Sequence, residues 1–357
     1  MDDFARQGSE LEIDGRMIGH GHRPYVIAEL SANHNGRIDA ALELIAAAKA
    51  AGADAIKLQT YRPDTITLDS DRPEFMISGG LWDGRRLFDL YEEAHTPWEW
   101  HKELFDTARA HEITMFSSPF DNSAVDLLED LGAPAYKIAS FEAVDIALIR
   151  YVASTGKPMI ISTGMADADE IGEAIDAARG GGCRELAILH CVSAYPAPPA
   201  DYNLRTIPDM IKRFGVVAGL SDHTIDNTTA IASVAMGARI IEKHFTLDRK
   251  GGGPDDSFSL EPGELAQLCS GVRTAWDALG EVDYGRKSSE SGNVVFRRSL
   301  YAAKDIAKGE AISAENMRSV RPGYGLAPKH YDELIGRVAA RDIKFAEPIE
   351  WSCLDPI

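Results

Sequence analysis

The sequence has few cysteines and a shortage of positive charge, and each shortage excludes a class of protein. Its four cysteines (Cys183, Cys191, Cys269 and Cys353) show no CxxC spacing, which argues against a disulfide framework or a zinc knuckle. Basic residues number 37 against 56 acidic ones, for a formal net charge of −19. Because nucleic acid and anionic membranes require a basic surface, we expect neither as a partner.

Long apolar runs are also missing. No uninterrupted run approaches the roughly 20 residues that a membrane helix needs. The opening residues, MDDFARQGSE, contain no apolar core of a secretory signal. Together with the scattered cysteines, these features predict a cytoplasmic protein. Hydrophobic residues make up 45% of the chain, which is enough for a sizeable buried core.

What the sequence does contain is regular alternation of short apolar runs with amphipathic helical stretches. The predicted strands are Tyr25–Leu30, Ala55–Thr60, Thr114–Ser118, Ala135–Ser140, Met159–Thr163, Leu186–Cys191, Val216–Ser221 and Arg239–Phe245. Such alternation predicts βαβ units on a parallel sheet. Eight units favour a TIM (β/α)8 barrel over an open doubly wound sheet, which more often has five or six strands.

The chain is expected to continue beyond this barrel. The predicted barrel covers residues 1–280, and the polar stretch 281–293 is typical of a linker. Residues 294–357 contain ten basic and nine acidic residues, so the negative charge lies in the part before them. Short apolar runs separated by Gly and Pro predict a small β-rich domain in this last segment.

Polar groups end all eight predicted strands, where TIM barrels carry their functional residues. Lys57 and Gln59 lie two residues apart and therefore on one face of their strand. A single strand-end lysine often merely pairs with a carboxylate, but Lys57 and Lys137 together favour an anion site. Lysines and hydroxyls suit phosphate and carboxylate groups. The candidate hydroxyls are those of Ser118, Ser140, Ser162 and Ser221.

Two histidines follow or end neighbouring predicted strands. His223 and His244 could share one cation, and a pair of neutral imidazoles suits Mn, Fe, Co or Zn better than Ca. Either histidine alone would more often be a hydrogen-bonded core residue, so the metal prediction depends on the pair. Asp255, in the loop after the last strand, could orient a metal-bound water or bind substrate.

Several motifs make the strand ends resemble those of the sialic acid synthase family. They are AELSANHNG (28–36), GADAIKLQTY (52–61), FSSPF (116–120), YKIASFE (136–142), STGM (162–165), HCVSAYP (190–196), GLSDHT (219–224) and IEKHFTLDR (241–249). The tail, with RRSLYAAKDIAKGE and RPGYGLAP, resembles an antifreeze-like (SAF) domain. Within the family, AELSANHNG, residues 79–101 and FSLEP are most similar to the pseudaminic acid synthase branch. Ser118 and Ser193 stand where the family often carries Thr and Asn.

The resemblance implies an enzyme that condenses phosphoenolpyruvate with an amino sugar, 2,4-diacetamido-2,4,6-trideoxy-L-altrose for this branch. It implies that phosphoenolpyruvate binds to Lys57, Lys137, Ser118, Ser140, Ser162, Ser193 and Ser221. It also implies a divalent metal cation (Mn, Mg or Co) on His223 and His244, with the sugar or a metal-bound water near Glu29, Gln59 and Asp255. Glu142 is the expected acid/base. A domain-swapped homodimer is implied, in which Arg321 reaches the partner's site and holds the acetamido group of the sugar.

Other functions remain open at this point. An N-acetylneuraminate or legionaminic acid synthase would use a manno-configured amino sugar. A 3-deoxy sugar-phosphate synthase or a Schiff-base aldolase would use the same barrel for another condensation. A non-catalytic carbohydrate- or ice-binding protein built on the terminal domain is the third possibility, and the eight polar strand ends argue against it.

Overall fold

A closed barrel of eight parallel strands dominates the computed structural model, which describes residues 10–356. The strands up to Gly280 are β1 (Leu11–Ile13), β2 (Arg16–Ile18), β3 (Tyr25–Glu29), β4 (Ala55–Thr60), β5 (Thr114–Pro119), β6 (Tyr136–Ile138), β7 (Met159–Ser162), β8 (Leu186–Cys191), β9 (Val217–Asp222) and β10 (Ile240–His244). The barrel runs from β3 to β10 in chain order, and β10 closes it by pairing with β3. The predicted TIM barrel is confirmed, with strand bounds shifted by two residues or fewer.

Helices follow the barrel strands and form the outer layer. They are α1 (Ile38–Ala51), α2 (Pro63–Ile66), α3 (Leu87–Ala94), α4 (His101–Ala110), α5 (Asn122–Asp130), α6 (Ile146–Ala153), α7 (Ala168–Gly181), α8 (Thr206–Phe214), α9 (Thr228–Ala235) and α10 (Pro262–Leu279). Their ends carry local signals: Asp121 accepts hydrogen bonds from the first turn of α5, and Asp167 and Glu170 form a capping box on α7. Gly52 ends α1 with a left-handed φ of 88°, a conformation that glycine adopts without steric cost.

A short hairpin, β1–β2, precedes the barrel and was not predicted. Leu11, Ile13 and Ile18 are fully buried and pack with the first residues of the barrel strands, such as Tyr25 and Ile240. The hairpin therefore closes the amino end of the barrel. Its three-residue strands are too short for a periodicity argument. The signal that could have revealed it is the Asp14-Gly15 turn, where both residues have positive φ.

A second compact unit begins at Glu281. Its antiparallel strands are β11 (Ser299–Ala302) and β12 (Met317–Val320), and its short helix is α11 (Tyr331–Leu334). Residues of this unit form their own apolar core: Leu300, Ala302, Ile306, Ile312, Met317, Leu334, Ala339, Ile343, Ile349, Cys353 and Leu354. The stretch predicted as a linker, 281–293, is exposed and runs into a 3-10 helix, Ser288–Phe296. In residues 10–356 no helix is both long and apolar enough to cross a membrane.

Candidate active site

The strand register brings residues from distant parts of the sequence together at the carboxyl end of the barrel. Glu29 lies opposite Lys57 on β4 and opposite His244 on β10. On the next strand pair Gln59 lies opposite Ser118. Because parallel strands end at the same edge, the predicted site residues of the barrel strands lie together at the carboxyl end of the barrel.

A buried network of ion pairs occupies the centre of this region. The Glu242 carboxylate lies 3.1 Å from Lys137 Nζ and 3.8 Å from Lys57 Nζ, and it accepts a hydrogen bond of 3.2 Å from Ser221 Oγ. Lys57 also contacts Glu29. The two lysines and two glutamates are almost completely buried. Removing one partner from such a set would leave an uncompensated buried charge, which costs several kcal/mol.

The protonation states follow from this arrangement. Burial alone would lower the pKa of Lys57, but Glu242 and Glu29 outweigh it and raise that pKa above its ordinary value. Burial would raise the pKa of Glu242, but Lys137 and Lys57 lower it. Lys57 and Glu242 are therefore both ionised. An anionic ligand can bind here by replacing the glutamates as the partner of one or both lysine ammonium groups.

A chain of hydrogen bonds links this network to the loop after β10. Gln59 Nε2 donates to Glu29 Oε1 and to Ser31 Oγ, both at 3.0 Å. The Ser31 hydroxyl donates to the Asp255 carboxylate. Burial raises the pKa of Asp255 to about 6. Glu29, Gln59 and Asp255, predicted to lie near the sugar, are thus connected to one another, and Ser31 is a link that the sequence analysis missed.

The two predicted metal ligands lie side by side, with ring centroids 5.4 Å apart. His223 Nδ1 bonds to the Val192 carbonyl at 2.8 Å, which assigns the proton to Nδ1 and directs the lone pair of Nε2 outward. His244 Nδ1 is buried without a hydrogen-bond partner among the described residues and lies 3.7 Å from Asp255 Oδ2. Burial lowers the pKa of His244 well below its ordinary value, so this imidazole is neutral.

This donor set fits a divalent transition metal, because neutral imidazoles are its preferred nitrogen ligands. Within residues 10–356 no group of three or more His, Cys, Asp or Glu side chains is arranged to hold an ion, so water or substrate would supply the other ligands. Burial disfavours protonation of His223, but negative charge on the Cys191 sulfur, 4.0 Å from Nδ1, and the Val192 carbonyl outweigh burial and raise the pKa of His223. Metal binding at His223 therefore competes with a proton.

Aromatic side chains form an apolar wall beside the histidines. The Tyr195 ring centroid lies 4.3 Å from that of His223 and 6.1 Å from that of His244. Phe258 packs against His244 at 5.0 Å and against Tyr195 at 5.3 Å, and Trp82 packs against Tyr195 at 5.7 Å. This wall was not predicted from the sequence. The signal that could have revealed it is that Trp82, Tyr195 and Phe258 all lie in segments that resemble the sialic acid synthase family.

The remaining hydroxyls lie along the same rim. The Gly164 backbone N–H donates to Ser140 Oγ at 3.2 Å. A Cβ at Gly164 would collide with Ser193 Oγ and with Ser140 Oγ, so only glycine allows these two serines to approach. Ser162 Oγ is buried without a hydrogen-bond partner among the described residues, which leaves it available to a ligand.

Two other predicted site residues have different environments. Glu142 lies in the 3-10 turn Ser140–Glu142, where burial raises the pKa of its carboxyl to about 7 and its Oε2 has no described partner. Arg321 lies in the second unit, directly after β12, and is exposed. Its role at a partner's site stays a prediction.

The most important residue missing from the predicted set is Glu242. Alternation on β10 directs Glu242 and His244 into the barrel, whereas Lys243 lies on the other face and pairs with Asp222 at 2.8 Å. The period of two residues, counted back from the predicted ligand His244, would have identified Glu242.

Comparison with known proteins assigns the family. The NeuB family profile matches residues 44–284, and the SAF domain profile matches residues 297–355. The chain belongs to the NeuB family. The predicted antifreeze-like domain is also confirmed.

Individual relatives refine this assignment. The chain is 47% identical to a pseudaminic acid synthase of Campylobacter jejuni over 91% of its own length and 95% of the relative. It is 43% identical to the Helicobacter pylori pseudaminic acid synthase, with 91% and 96% covered. An N,N'-diacetyllegionaminic acid synthase of C. jejuni is 36% identical. The predicted similarity to the pseudaminic acid synthase branch is therefore confirmed.

Solved structures agree with the fold. The N-acetylneuraminic acid synthetase of Leptospira borgpetersenii superposes with a TM-score of 0.72 at 30% identity, covering 80% of this chain and 95% of that one. The spore coat polysaccharide biosynthesis protein SpsE of Bacillus subtilis gives a TM-score of 0.66 at 34% identity, covering 98% of this chain and 100% of that one.

Proposed function

We propose that the protein condenses phosphoenolpyruvate with 2,4-diacetamido-2,4,6-trideoxy-L-altrose and water, and releases pseudaminic acid and phosphate. Relatives that are 43% to 47% identical over most of the chain are pseudaminic acid synthases. The observation that carries the proposal is the buried Lys57–Glu242–Lys137 network next to an imidazole pair. It offers ammonium groups for an anion and, beside them, two imidazoles that would hold a Lewis-acidic metal ion.

In this proposal phosphoenolpyruvate binds at the lysines. Its phosphate and carboxylate pair with the lysine ammonium groups in place of Glu242 and Glu29. They also accept hydrogen bonds from the rim hydroxyls. Ser162 and Ser118 are suited to this role because, among residues 10–356, Ser162 Oγ has no hydrogen-bond partner and Ser118 Oγ makes only a long contact of 3.4 Å with Lys57. Ser140, Ser193 and Ser221 complete the hydroxyl set.

A divalent cation, Mn or Co before Mg, is proposed at His223 and His244, since Mg strongly prefers oxygen ligands. Such an ion, when bound, would act as a Lewis acid on the aldehyde oxygen of the open-chain sugar. Asp255 would orient water or a sugar hydroxyl there, because its carboxylate lies beside His244 and is fixed by Ser31.

The reaction then forms a carbon–carbon bond between C3 of phosphoenolpyruvate and the aldehyde carbon. Water adds to C2, and the resulting tetrahedral intermediate expels phosphate. Glu142 is proposed as the acid/base for the water step, because a carboxyl with a pKa of about 7 can both take up and release a proton near neutral pH. Holding two substrates in register supplies much of the rate gain.

The aromatic wall supports a deoxy sugar as the second substrate. Tyr195 and Phe258 present apolar surface next to the histidines, where a methyl group would pack better than a hydroxymethyl group. Trp82 supports this wall from outside, and its Nε1 donates to the Pro254 carbonyl at 3.2 Å. N-acetylneuraminate and legionaminic acid synthesis remain the rival functions.

A domain-swapped homodimer is part of the proposal. Four apolar residues follow barrel strands at their carboxyl ends, and each is more than half exposed: Phe141, Val144, Met165 and Ile225. In the second unit, which also carries Arg321, Phe296, Tyr324 and Phe345 are similarly exposed. Burying both apolar sets against each other in a two-fold dimer would cover each barrel mouth. Arg321 of the partner subunit would then bind the acetamido group of the sugar.

Phosphate release with phosphoenolpyruvate and a sugar panel tests the function. The panel compares the altro sugar, its manno isomer 2,4-diacetamido-2,4,6-trideoxymannose, and N-acetylmannosamine. Preference for the altro sugar is expected, and preference for either manno sugar would assign the rival function. Borohydride trapping of Lys57 or Lys137 would instead indicate a Schiff-base aldolase. Absence of phosphate release with every sugar would favour a binding protein.

The metal proposal has its own test. Replacing His223 or His244 by Ala should abolish turnover and remove about one equivalent of bound Mn or Co, measured by equilibrium dialysis. Full wild-type activity in excess chelator would refute it.

A further inference from the structure

A cavity of about 360 Å³ lies at the opposite end of the barrel from the candidate active site. It is lined by Val216 and Val217 at the start of β9 and by Arg239 directly before β10, whereas the two histidines lie at the carboxyl ends of these strands. Its size is within the range of small-molecule sites. None of the residues used in the proposed reaction contributes to its lining.

Most of the lining is apolar. Ile211 of α8, Val234 and Met236 at the end of α9, and Leu279 at the end of α10 surround the space. Water in such a cavity finds few hydrogen-bonding partners. The lining therefore favours a ligand with an apolar body.

Besides the exposed His20, this lining contains one charged side chain, that of Arg239. Arg239 as a whole residue is 8% exposed, and among the described residues it forms no ion pair with a carboxylate. Nη1 donates to the carbonyls of Ala238 at 2.9 Å and Val234 at 3.4 Å, whereas Nε is buried without a described partner. The guanidinium carbon lies 4.7 Å from the ring centroid of Trp276. Hydrogen bonds to carbonyl groups and stacking on an indole ring do not neutralise a charge, so the guanidinium has no counter-ion among the described residues.

An unpaired cation in an apolar environment is unusual, because a buried charge is costly unless an opposite charge compensates it. The cost is evident in the pKa of Arg239, which burial alone lowers to about 10. A carboxylate beside the guanidinium would remove this cost and could accept two parallel hydrogen bonds.

We propose that this cavity binds a small organic anion, whose carboxylate pairs with Arg239 and whose apolar body lies among Ile211, Val234 and Met236. The ligand class is a monocarboxylic acid with a compact hydrocarbon group. Its binding is independent of the condensation reaction.

Calorimetric titration of the full-length protein with benzoate tests the proposal. Saturating phosphoenolpyruvate is included so that the lysines at the other end of the barrel are occupied. Benzoate should bind with a Kd of about 10 mM or tighter. Benzyl alcohol, which lacks the charge, and sulfate, which lacks the apolar body, should each bind at least about tenfold more weakly. No benzoate binding, or equal binding of benzyl alcohol, would overturn the proposal.

Three variants locate the site. Arg239→Met removes the charge and should weaken benzoate binding by at least about tenfold. Ala235→Trp should have the same effect by filling the cavity from an exposed position of α9. Ala232→Trp, an exposed position of the same helix outside the cavity lining, is the matched control and should bind like wild type. If Arg239→Met fails to fold, Ala235→Trp decides, and unchanged binding in it would refute the site.

Discussion

At the scale of single residues, Glu142 is the carboxyl whose environment has the clearest consequence for pH dependence. Its folded pKa of about 7 lies above its ordinary value of 4.5, and burial is the main cause. Between these values the folded protein keeps a proton that the unfolded chain loses. Its contribution to stability is therefore present below about pH 4.5 and is lost as the pH rises towards 7.

Glu142→Gln should remove this loss. Between pH 4.5 and pH 7.5, the free energy of unfolding of the variant relative to wild type should rise by about 2 to 3 kcal/mol. Urea unfolding at a series of pH values measures the difference. The same variant should lower kcat, since Gln cannot transfer a proton. Parallel stability profiles for the two proteins would contradict the assigned environment of Glu142.

Trp82 allows a second prediction at this scale. Trp82→Ala should raise the KM of the sugar by about tenfold, because Tyr195 and the loop at Pro254 lose their support. The KM of phosphoenolpyruvate should change by less than about twofold, since the lysine network lies elsewhere. Trp82→Phe keeps an aromatic ring and serves as the control. Steady-state kinetics with each substrate varied would decide, and equal effects on both KM values would argue against a role in the sugar site.

At the scale of elements, the barrel was predictable because each strand is a short buried run followed by an amphipathic helix. Most of the candidate site followed from the same pattern, since the carboxyl ends of parallel strands meet at one edge. Alternation with His244 places Glu242 on the inner face of β10, but its role as counter-ion to two lysines from other strands could not be predicted, because no local motif shows such a partnership. Hairpin β1–β2 was missed because its strands are three residues each.

The hairpin carries its own prediction. Ile13→Ala should lower the free energy of unfolding by about 3 kcal/mol, because the side chain is fully buried at the amino end of the barrel. The kcat should remain unchanged, since the reaction is placed at the other end. Glu12→Ala, at an exposed position of the same strand, should cost less than about 0.5 kcal/mol. Denaturant unfolding and steady-state kinetics provide both readings, and a fall in kcat for Ile13→Ala would show that the two ends are coupled.

At the scale of the whole molecule, the proposed dimer predicts that two inactive variants can restore each other. His244→Ala disables a barrel, and Arg321→Ala disables the side chain proposed to reach the partner's barrel. After unfolding and refolding together, mixed dimers should contain one site with both residues intact. About a quarter of wild-type activity should return. No recovery, with mixed dimers demonstrated by differently tagged chains, would place Arg321 in the site of its own subunit or outside any site.

The pairing of β10 with β3 also affects how the protein is made. Glu29 and His244 are neighbours across this seam, although the ribosome synthesises them more than two hundred residues apart. Until β10 has emerged from the ribosome, a nascent chain has neither a closed barrel nor the imidazole of His244. The site can therefore form only when almost the entire barrel sequence is available, and contacts of such long sequence separation form slowly. Prematurely terminated chains should accordingly bind neither metal nor sugar.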